Sequence, residues 1–352
     1  MSCARLIYKK MTEDQKFMNR AIELAKLGLG TTYPNPIVGC VIVHQGKIIG
    51  EGWHQRAGEG HAEVRAIADV KNKQLLPEAT AYVTLEPCAH HGKTPPCADL
   101  LIKHQLKRVV VAATDSNPEV AGSGLHRMIE SGIEVVTGVM EQEAREMNRR
   151  FFTFMEKKRP YVVLKWAQTQ DGFVARENYD SKWISNIHSR TLVHKWRTEE
   201  QAIMVGRNTA LYDNPVLNAR LWKGQDPIRV VIDRNLVLPN TLHLFQGTQP
   251  TRCYNFTKNG VVGNTTFIAL KKEHFLEQLM SDLYQQKIHS VFIEGGAGLL
   301  NQIMQADLWD EARIFTATAT FGSGILAPKI KGQLAEEKYI LNDRLSIWYN
   351  KK

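Results

Sequence analysis

Hydrophobic positions along the chain recur at two spacings, and the two spacings alternate. Phe17, Ala21, Leu24 and Gly28 fall at helical intervals behind Thr12-Glu13-Asp14-Gln15, which has the form of a capping box. A helix is therefore predicted over 13–27, ended by Gly28 and Gly30. Apolar runs at 38–43 and 47–52, joined by Gln45-Gly46, read as paired strands. Helix 61–69, strand 79–85, helix 97–105, strand 108–114, helix 125–131 and strand 133–137 follow, then a helix over 141–152. Such alternation predicts a three-layer α/β domain with much of its sheet parallel.

Lys157-Lys158-Arg159-Pro160 interrupts the pattern, and a boundary is expected there, dividing the chain into domains 11–157 and 158–352. Beyond it, strands are predicted at 161–167, 202–205, 228–232, 252–256, 266–270, 290–293, 311–317 and 344–349. A helix at 275–286 and another reaching about 304 complete a second α/β domain. A length of 352 residues fits two domains.

Composition narrows the function. No apolar run is long enough to span a membrane, so no membrane partner is expected. Residues 1–10 lack the apolar core of a signal peptide, which sets the expectation of a cytoplasmic protein. The five cysteines, Cys3, Cys40, Cys88, Cys97 and Cys253, are odd in number and scattered, against a disulfide framework. The formal charge of +9 suits anionic partners. No dense Lys/Arg block occurs, and phosphorylated small molecules account for the charge without nucleic acid.

The chemistry concentrates in His61-Ala62-Glu63 and Pro87-Cys88-Ala89-His90-His91-Gly92-Lys93-Thr94-Pro95-Pro96-Cys97. One imidazole and two thiolates hold zinc and leave a fourth position for water. His61 opens a predicted helix, Cys88 follows a strand and Cys97 opens another helix, where the positive helix ends favour thiolate. Glu63 is placed to move protons without being a ligand. This H-x-E … P-C … C order is that of zinc deaminases acting on nucleobase-like rings. A structural zinc site with His90 or His91 as fourth ligand is the bland alternative. Asn35, held between Pro34 and Pro36, either presents its amide to a ligand or belongs to a rigid turn. In the second half, Gly295-Gly296-Ala297-Gly298 between strand and helix either cradles a phosphate or is only a tight turn. Lys165, within an apolar strand, is either catalytic or emerges at the sheet edge.

The wording around these residues is more specific than the zinc motif. Pro34-Asn35-Pro36-Ile37-Val38-Gly39, His61-Ala62-Glu63-Val64 and the stretch from Thr84 to Cys97 closely resemble the bifunctional riboflavin-biosynthesis deaminase–reductases. So do Lys165-Trp166-Ala167, Asp171-Gly172, Ser181-Lys182-Trp183-Ile184-Ser185, Val205-Gly206-Arg207-Asn208-Thr209, Asp213-Asn214-Pro215 and Phe292-Ile293-Glu294-Gly295-Gly296. The resemblance covers nearly all of the chain from about Met11 and implies a cytidine-deaminase-like three-layer α/β/α domain followed by a dihydrofolate-reductase-like α/β domain. It implies zinc and NADPH as cofactors, a phosphorylated pyrimidine substrate and a homo-oligomer. By motif position, His61, Cys88 and Cys97 match zinc ligands and Glu63 the proton shuttle. Asn35, His54, His90, Lys93, Asp115 and Asn117 match contacts to the pyrimidine or its ribose phosphate. Ser181, Arg197, Leu217, Arg220 and Glu294 match contacts to the second substrate, with Lys165 as a donor to the sugar oxygen. Ala167, Trp183, Thr209, Asp213, Gly295, Gly296, Ala297 and Gly298 match cofactor contacts.

The chain departs from the family pattern at Gln168-Thr169-Gln170, where many relatives carry a smaller Ser-containing version, and at Thr318-Ala319-Thr320-Phe321-Gly322, which lacks a Pro-Lys pair. Two rivals stand beside this reading. A nucleic-acid deaminase with an accessory domain is disfavoured by the long zinc loop. A ligand sensor retaining the zinc fold would have no use for Glu63.

Overall fold

The structure, a computed structural model, describes residues 11–89, 95–116, 122–182 and 184–351. The chain forms two compact units, the first ending at Glu156 and the second beginning at Lys157.

The first unit contains, in order, α1 (Glu13–Lys26), β1 (Gly39–His44), β2 (Lys47–Trp53), α2 (Ala62–Asp69), a 3-10 segment (Lys73–Glu78), β3 (Thr80–Leu85), α3 (Cys97–Lys103), β4 (Arg108–Ala113), α4 (Ser123–Glu130), β5 (Glu134–Thr137), α5 (Glu141–Met147) and α6 (Arg149–Lys157). Thr12 caps α1 through the reciprocal hydrogen bonds with Gln15 expected of a capping box. The strands form one sheet in the order β2-β1-β3-β4-β5. The β1 strand is antiparallel to β2 and β3, whereas β3, β4 and β5 run parallel.

Strand alternation sends side chains to opposite faces. Val41, Val43, Val110 and Ala112 meet Phe17, Met18, Ala21 and Phe152 on one face. Cys40, Ile42, Val109 and Val111 meet Ala66, Ile67, Leu101 and Met128 on the other. The result is the expected α/β/α sandwich, with both sheet faces covered.

The helix expected over 141–152 is two helices. Asn148 separates them at φ −97°, ψ 20°. Its buried side chain accepts a hydrogen bond from the Ile37 N–H (3.0 Å) and donates one to the Ile37 carbonyl (2.7 Å). A long-range partner thus recruits this residue where local periodicity alone continued the helix.

The second unit contains β6 (Tyr161–Gln168), β7 (Phe173–Ala175), α7 (Ile187–Glu199), β8 (Ala202–Gly206), α8 (Arg207–Asp213), β9 (Ile228–Ile232), a 3-10 turn (His243–Phe245), β10 (Thr251–Asn255), β11 (Gly260–Val262), β12 (Thr265–Ala269), α9 (Phe275–Gln285), β13 (Ser290–Glu294), α10 (Ala297–Gln305), β14 (Glu311–Thr316), β15 (Ile325–Leu326), β16 (Gln333–Ile340) and β17 (Asp343–Tyr349). Ten strands form a sheet in the order β11-β12-β10-β9-β8-β13-β6-β14-β17-β16, and β15 pairs separately with β7. Strands β9, β8, β13, β6 and β14 are mutually parallel, so their carboxyl ends open along one edge. Open parallel sheets bind ligands at that edge.

The two departures from the family pattern meet in space. Thr169 Oγ1 donates to Asp171 at 2.5 Å, Gln170 N–H donates to the Ala319 carbonyl, and Asp171 accepts the N–H groups of Phe321 and Gly322 at 3.0 and 2.8 Å. Both unusual stretches are therefore parts of one hydrogen-bonded turn. No helix among the described residues is long and apolar enough to cross a membrane.

Candidate active sites

In the first unit, three sequence-distant donors converge. His61 is the N-cap of α2 and makes no capping hydrogen bond with its side chain, which leaves the ring free to turn toward the thiols. Cys97 opens α3, and its N–H lies 3.4 Å from Cys88 Sγ. His61 Nδ1 lies 3.6 Å from Cys88 Sγ and 3.3 Å from Cys97 Sγ, and the three ligand atoms all fall within 4.8 Å of one another.

These spacings suit zinc. Tetrahedral bonds of about 2.0–2.3 Å set ligand atoms roughly 3.4–3.8 Å apart. The charge pattern agrees. A hydrogen bond from Cys97, reinforced by His61, holds the Cys88 thiol down at about 4, while that same thiolate and burial push Cys97 strongly upward. Without a cation the pair carries one negative charge between them. Ionising both thiols takes a positive ion, and a His/Cys/Cys set suits zinc.

Glu63 lies in the first turn of α2, two residues after His61, and is buried. Burial, and then the negative charge of Cys88, push its carboxyl up to about 7. His54 is buried with its ring edge-on to His61, centroids 5.3 Å apart, and burial lowers its pKa. Asn35 reaches the same place, its Nδ2 3.1 Å from His54 Nε2. Asp115 follows β4, and its N–H binds Glu86. His90, Lys93 and Asn117 lie outside the described residues.

Glu86 is the residue that motif reading passed over. It is buried, and its carboxylate accepts the N–H groups of Asp115, Gly122 and Gly124 at 3.3, 3.1 and 3.3 Å. It thereby ties Asp115, after β4, to the start of α4, where Gly124 stands against the Pro87 carbonyl. Its only signal in the sequence is its place directly before Pro-Cys.

In the second unit a cavity of about 1030 Å³ opens at the carboxyl edge of the parallel strands. Every described residue of this half matched to a substrate or cofactor contact lines it: Lys165, Ala167, Ser181, Arg197, Thr209, Asp213, Leu217, Arg220, Glu294 and the 295–298 turn. Trp183 lies outside the described residues. Burial disfavours charge on Glu294, but Arg197 and Lys165 outweigh it and hold the carboxyl at about 2. Arg197 grips Glu294 with two nitrogens and gives its third to the Asn218 carbonyl, while Lys165 Nζ lies 3.6 Å from Glu294. Burial depresses the Lys165 pKa and raises that of Asp213, which accepts a hydrogen bond from Ser181 at 3.1 Å.

The 295–298 turn leads into α10, whose N-cap, Gly296, has no side-chain capping bond. Gly296 N–H donates to Thr209 Oγ1 at 3.0 Å, and a methyl group at Gly298 would stand in open space. An uncapped helix N-terminus facing a large cleft fits the pyrophosphate of a dinucleotide.

The two halves thus define a class: a zinc-deaminase-type unit joined to a reductase-type unit. Residues 11–113 match the family described as cytidine and deoxycytidylate deaminase zinc-binding region, and residues 160–343 match the RibD C-terminal domain. Riboflavin biosynthesis protein RibD of Escherichia coli (strain K12) is 40% identical over 332 residues, covering 88% of this chain and 89% of the relative. RibD of Bacillus amyloliquefaciens is 41% identical over 327 residues, covering 90% and 87%. The crystal structure of a diaminohydroxyphosphoribosylaminopyrimidine deaminase/5-amino-6-(5-phosphoribosylamino)uracil reductase from Thermotoga maritima superposes with a TM-score of 0.89 at 38% identity, over 96% of this chain and 99% of that one. The chain belongs to the RibD family of riboflavin biosynthesis proteins.

Proposed function

We propose that the chain performs two consecutive riboflavin-pathway reactions. Residues 11–157 remove the 2-amino group of 2,5-diamino-6-(5-phosphoribosylamino)pyrimidin-4-one by hydrolysis. Residues 158–352 reduce the ribosyl arm of the product to ribityl with NADPH. The observation that carries the first reaction is the convergence of His61 Nδ1 and two cysteine sulfurs, with the buried carboxyl of Glu63 interacting with both cysteines. The single cavity holding Lys165, Arg197 and Glu294 beside an uncapped helix N-terminus supports the second.

His61, Cys88 and Cys97 would hold the zinc. When bound, zinc acts as a Lewis acid and lowers the pKa of a water from about 15.7 to about 7. Glu63 takes a proton from the attacking water and passes protons to the ring nitrogen and the leaving amine, so that water replaces ammonia. Asn35 and His54 orient the pyrimidine, with Asp115, Asn117, His90 and Lys93 completing the contacts to the ring and phosphate.

In the second site, Ala167, Trp183, Thr209, Asp213 and the 295–298 turn would hold NADPH, which when bound would supply the hydride for reduction at C1′ of the ribosyl arm. Ser181, Arg197, Leu217, Arg220 and Glu294 hold the substrate. Arg220 suits the phosphate, since a guanidinium makes forked bonds to its oxygens. Lys165 gives a proton to the sugar oxygen, which balances the hydride. We further propose that the enzyme works in the cytoplasm as a homo-oligomer, without a nucleic-acid or membrane partner. Phosphorylated ligands at two sites account for the charge of +9.

Mass spectrometry of the products from the diaminopyrimidine ribosyl phosphate tests both halves. Exchange of an amine for oxygen is expected without NADPH, and two added hydrogens with it. Deamination alone would overturn the reductase reading. No reaction by zinc-loaded protein would overturn both.

A further inference from the structure

His194 lines the same cavity, yet no motif marks it. It lies on α7, one turn before Arg197, and is 4% exposed. Its Nδ1 is buried without a hydrogen-bond partner. A buried polar atom left unpaired costs about 1–3 kcal/mol, so such an atom beside a binding cavity points to a partner that arrives with the ligand.

Of the two neighbouring guanidinium groups, Arg197 is the one already engaged by the protein. Arg197 spends its hydrogen bonds on Glu294 and on the Asn218 carbonyl. Arg220 touches the Asn218 side chain at 3.1 Å and is exposed, which leaves it available to a phosphate. Burial, then the charges of Arg197 and Arg220, push the His194 imidazole down to about 4, so the ring is neutral at physiological pH. A neutral imidazole offers one donor and one acceptor. A sugar hydroxyl satisfies either tautomer, because it both donates and accepts. A phosphate, which only accepts, satisfies one tautomer alone.

We propose that His194 is a substrate-binding residue of the reductase site and that its Nδ1 hydrogen-bonds a hydroxyl of the ribosyl arm. This rests on the reading of the cavity as the site of ribosyl reduction. His194 then sets the position of the arm relative to Lys165, while Arg220 holds the phosphate.

Steady-state reduction by the full chain tests the assignment, with His194→Ala, His194→Asn and His194→Leu. His194→Ala and His194→Leu are expected to raise KM for the deaminated ribosyl substrate roughly five- to tenfold, the worth of one hydrogen bond. KM for NADPH and deamination are expected to stay at wild-type values. His194→Asn, which keeps a polar atom near the Nδ1 position, is expected to recover most of the loss. Substrate KM within twofold of wild type in all folded variants would overturn the proposal. So would a parallel rise in both KM values with no recovery by Asn, the mark of a purely structural residue. If His194→Ala does not fold, the comparison of Asn with Leu decides in the same way. Wild-type protein that deaminates but never reduces would instead overturn the reading of the cavity itself.

Discussion

The Arg197 guanidinium clasps the Glu294 carboxylate through two bonds, Nε to Oε1 at 2.6 Å and Nη2 to Oε2 at 3.0 Å. This pair ties the end of α7 to the end of β13, and Lys165 adds a second positive charge at 3.6 Å. Glu294→Gln would leave two buried cations facing an uncharged amide. Breaking one side of a buried pair costs about 3–5 kcal/mol. The variant is expected to unfold at lower denaturant in the second unit and to lose reduction while keeping deamination, as read by denaturation and by the two separate assays. Acid acts on the same pair. The Glu294 carboxyl is held at about 2, below its ordinary 4.5, against burial and by Arg197 and Lys165. Its stabilisation is therefore complete above about pH 4.5 and is lost as pH falls toward 2. A pH series of unfolding midpoints should show that loss in wild type and a flatter profile in Glu294→Gln.

Lys165 is expected to matter to one reaction only. It sits in the second half of β6, paired with Glu294 across to β13, where burial lowers its pKa and Glu294 opposes that shift. A positioned proton donor contributes about 100-fold or more to rate. Lys165→Ala should reduce NADPH oxidation by that order and leave ammonia release from the diaminopyrimidine unchanged. Equal NADPH oxidation by the variant and the wild type would remove Lys165 from the reaction.

The parts of the molecule that were legible in advance are those where one local signal suffices. Val109 and Val111 on one face and Val110 and Ala112 on the other announce a buried strand. His61, Glu63, Cys88 and Cys97 carry their chemistry in residue type and order. Helix α7 was illegible because its buried face includes Ser189, His194 and Arg197, so its apolar period is faint. That polar face is the one that lines the cavity, and such inconsistencies cluster at functional sites. Strand β16 was missed for the opposite reason. It is exposed along nearly its whole length and has no apolar alternation to read. Glu86 and Asn148 act through partners 29 to 111 positions away, and no local spacing reveals such contacts.

Gly124 is expected to control zinc retention without touching the zinc ligands. A methyl group there would lie 2.2 Å from the Pro87 carbonyl oxygen, a backbone atom that cannot swing aside. Gly124→Ala must therefore displace the Pro87-Cys88 segment or the start of α4, loosening the bonds that Glu86 accepts. Disturbance of such supporting contacts typically costs about 10- to 100-fold in metal affinity. Competition with a chelator, followed by zinc analysis, should show that loss, with deamination falling and reduction unchanged. Wild-type zinc retention would overturn the expectation that Gly124 supports the Pro87-Cys88 segment.

Asn148 should prove to be the anchor of the segment that carries Asn35. Its amide satisfies both the N–H and the carbonyl of Ile37, two residues after Asn35, and the site is buried. Asn148→Ala leaves both backbone groups unpaired, at about 2–4 kcal/mol in total. Asn148→Asp keeps the acceptor for the Ile37 N–H but turns a carboxylate oxygen toward the Ile37 carbonyl, so it is expected to be at least as destabilising near neutral pH. Both variants should raise KM for the diaminopyrimidine, because Asn35 and His54 lose their fixed separation of 3.1 Å. The decisive comparison is between deamination and reduction in the same preparation. A selective rise in the deaminase KM identifies Asn148 as the support of the pyrimidine site, whereas equal effects on both reactions would reduce its role to general stability.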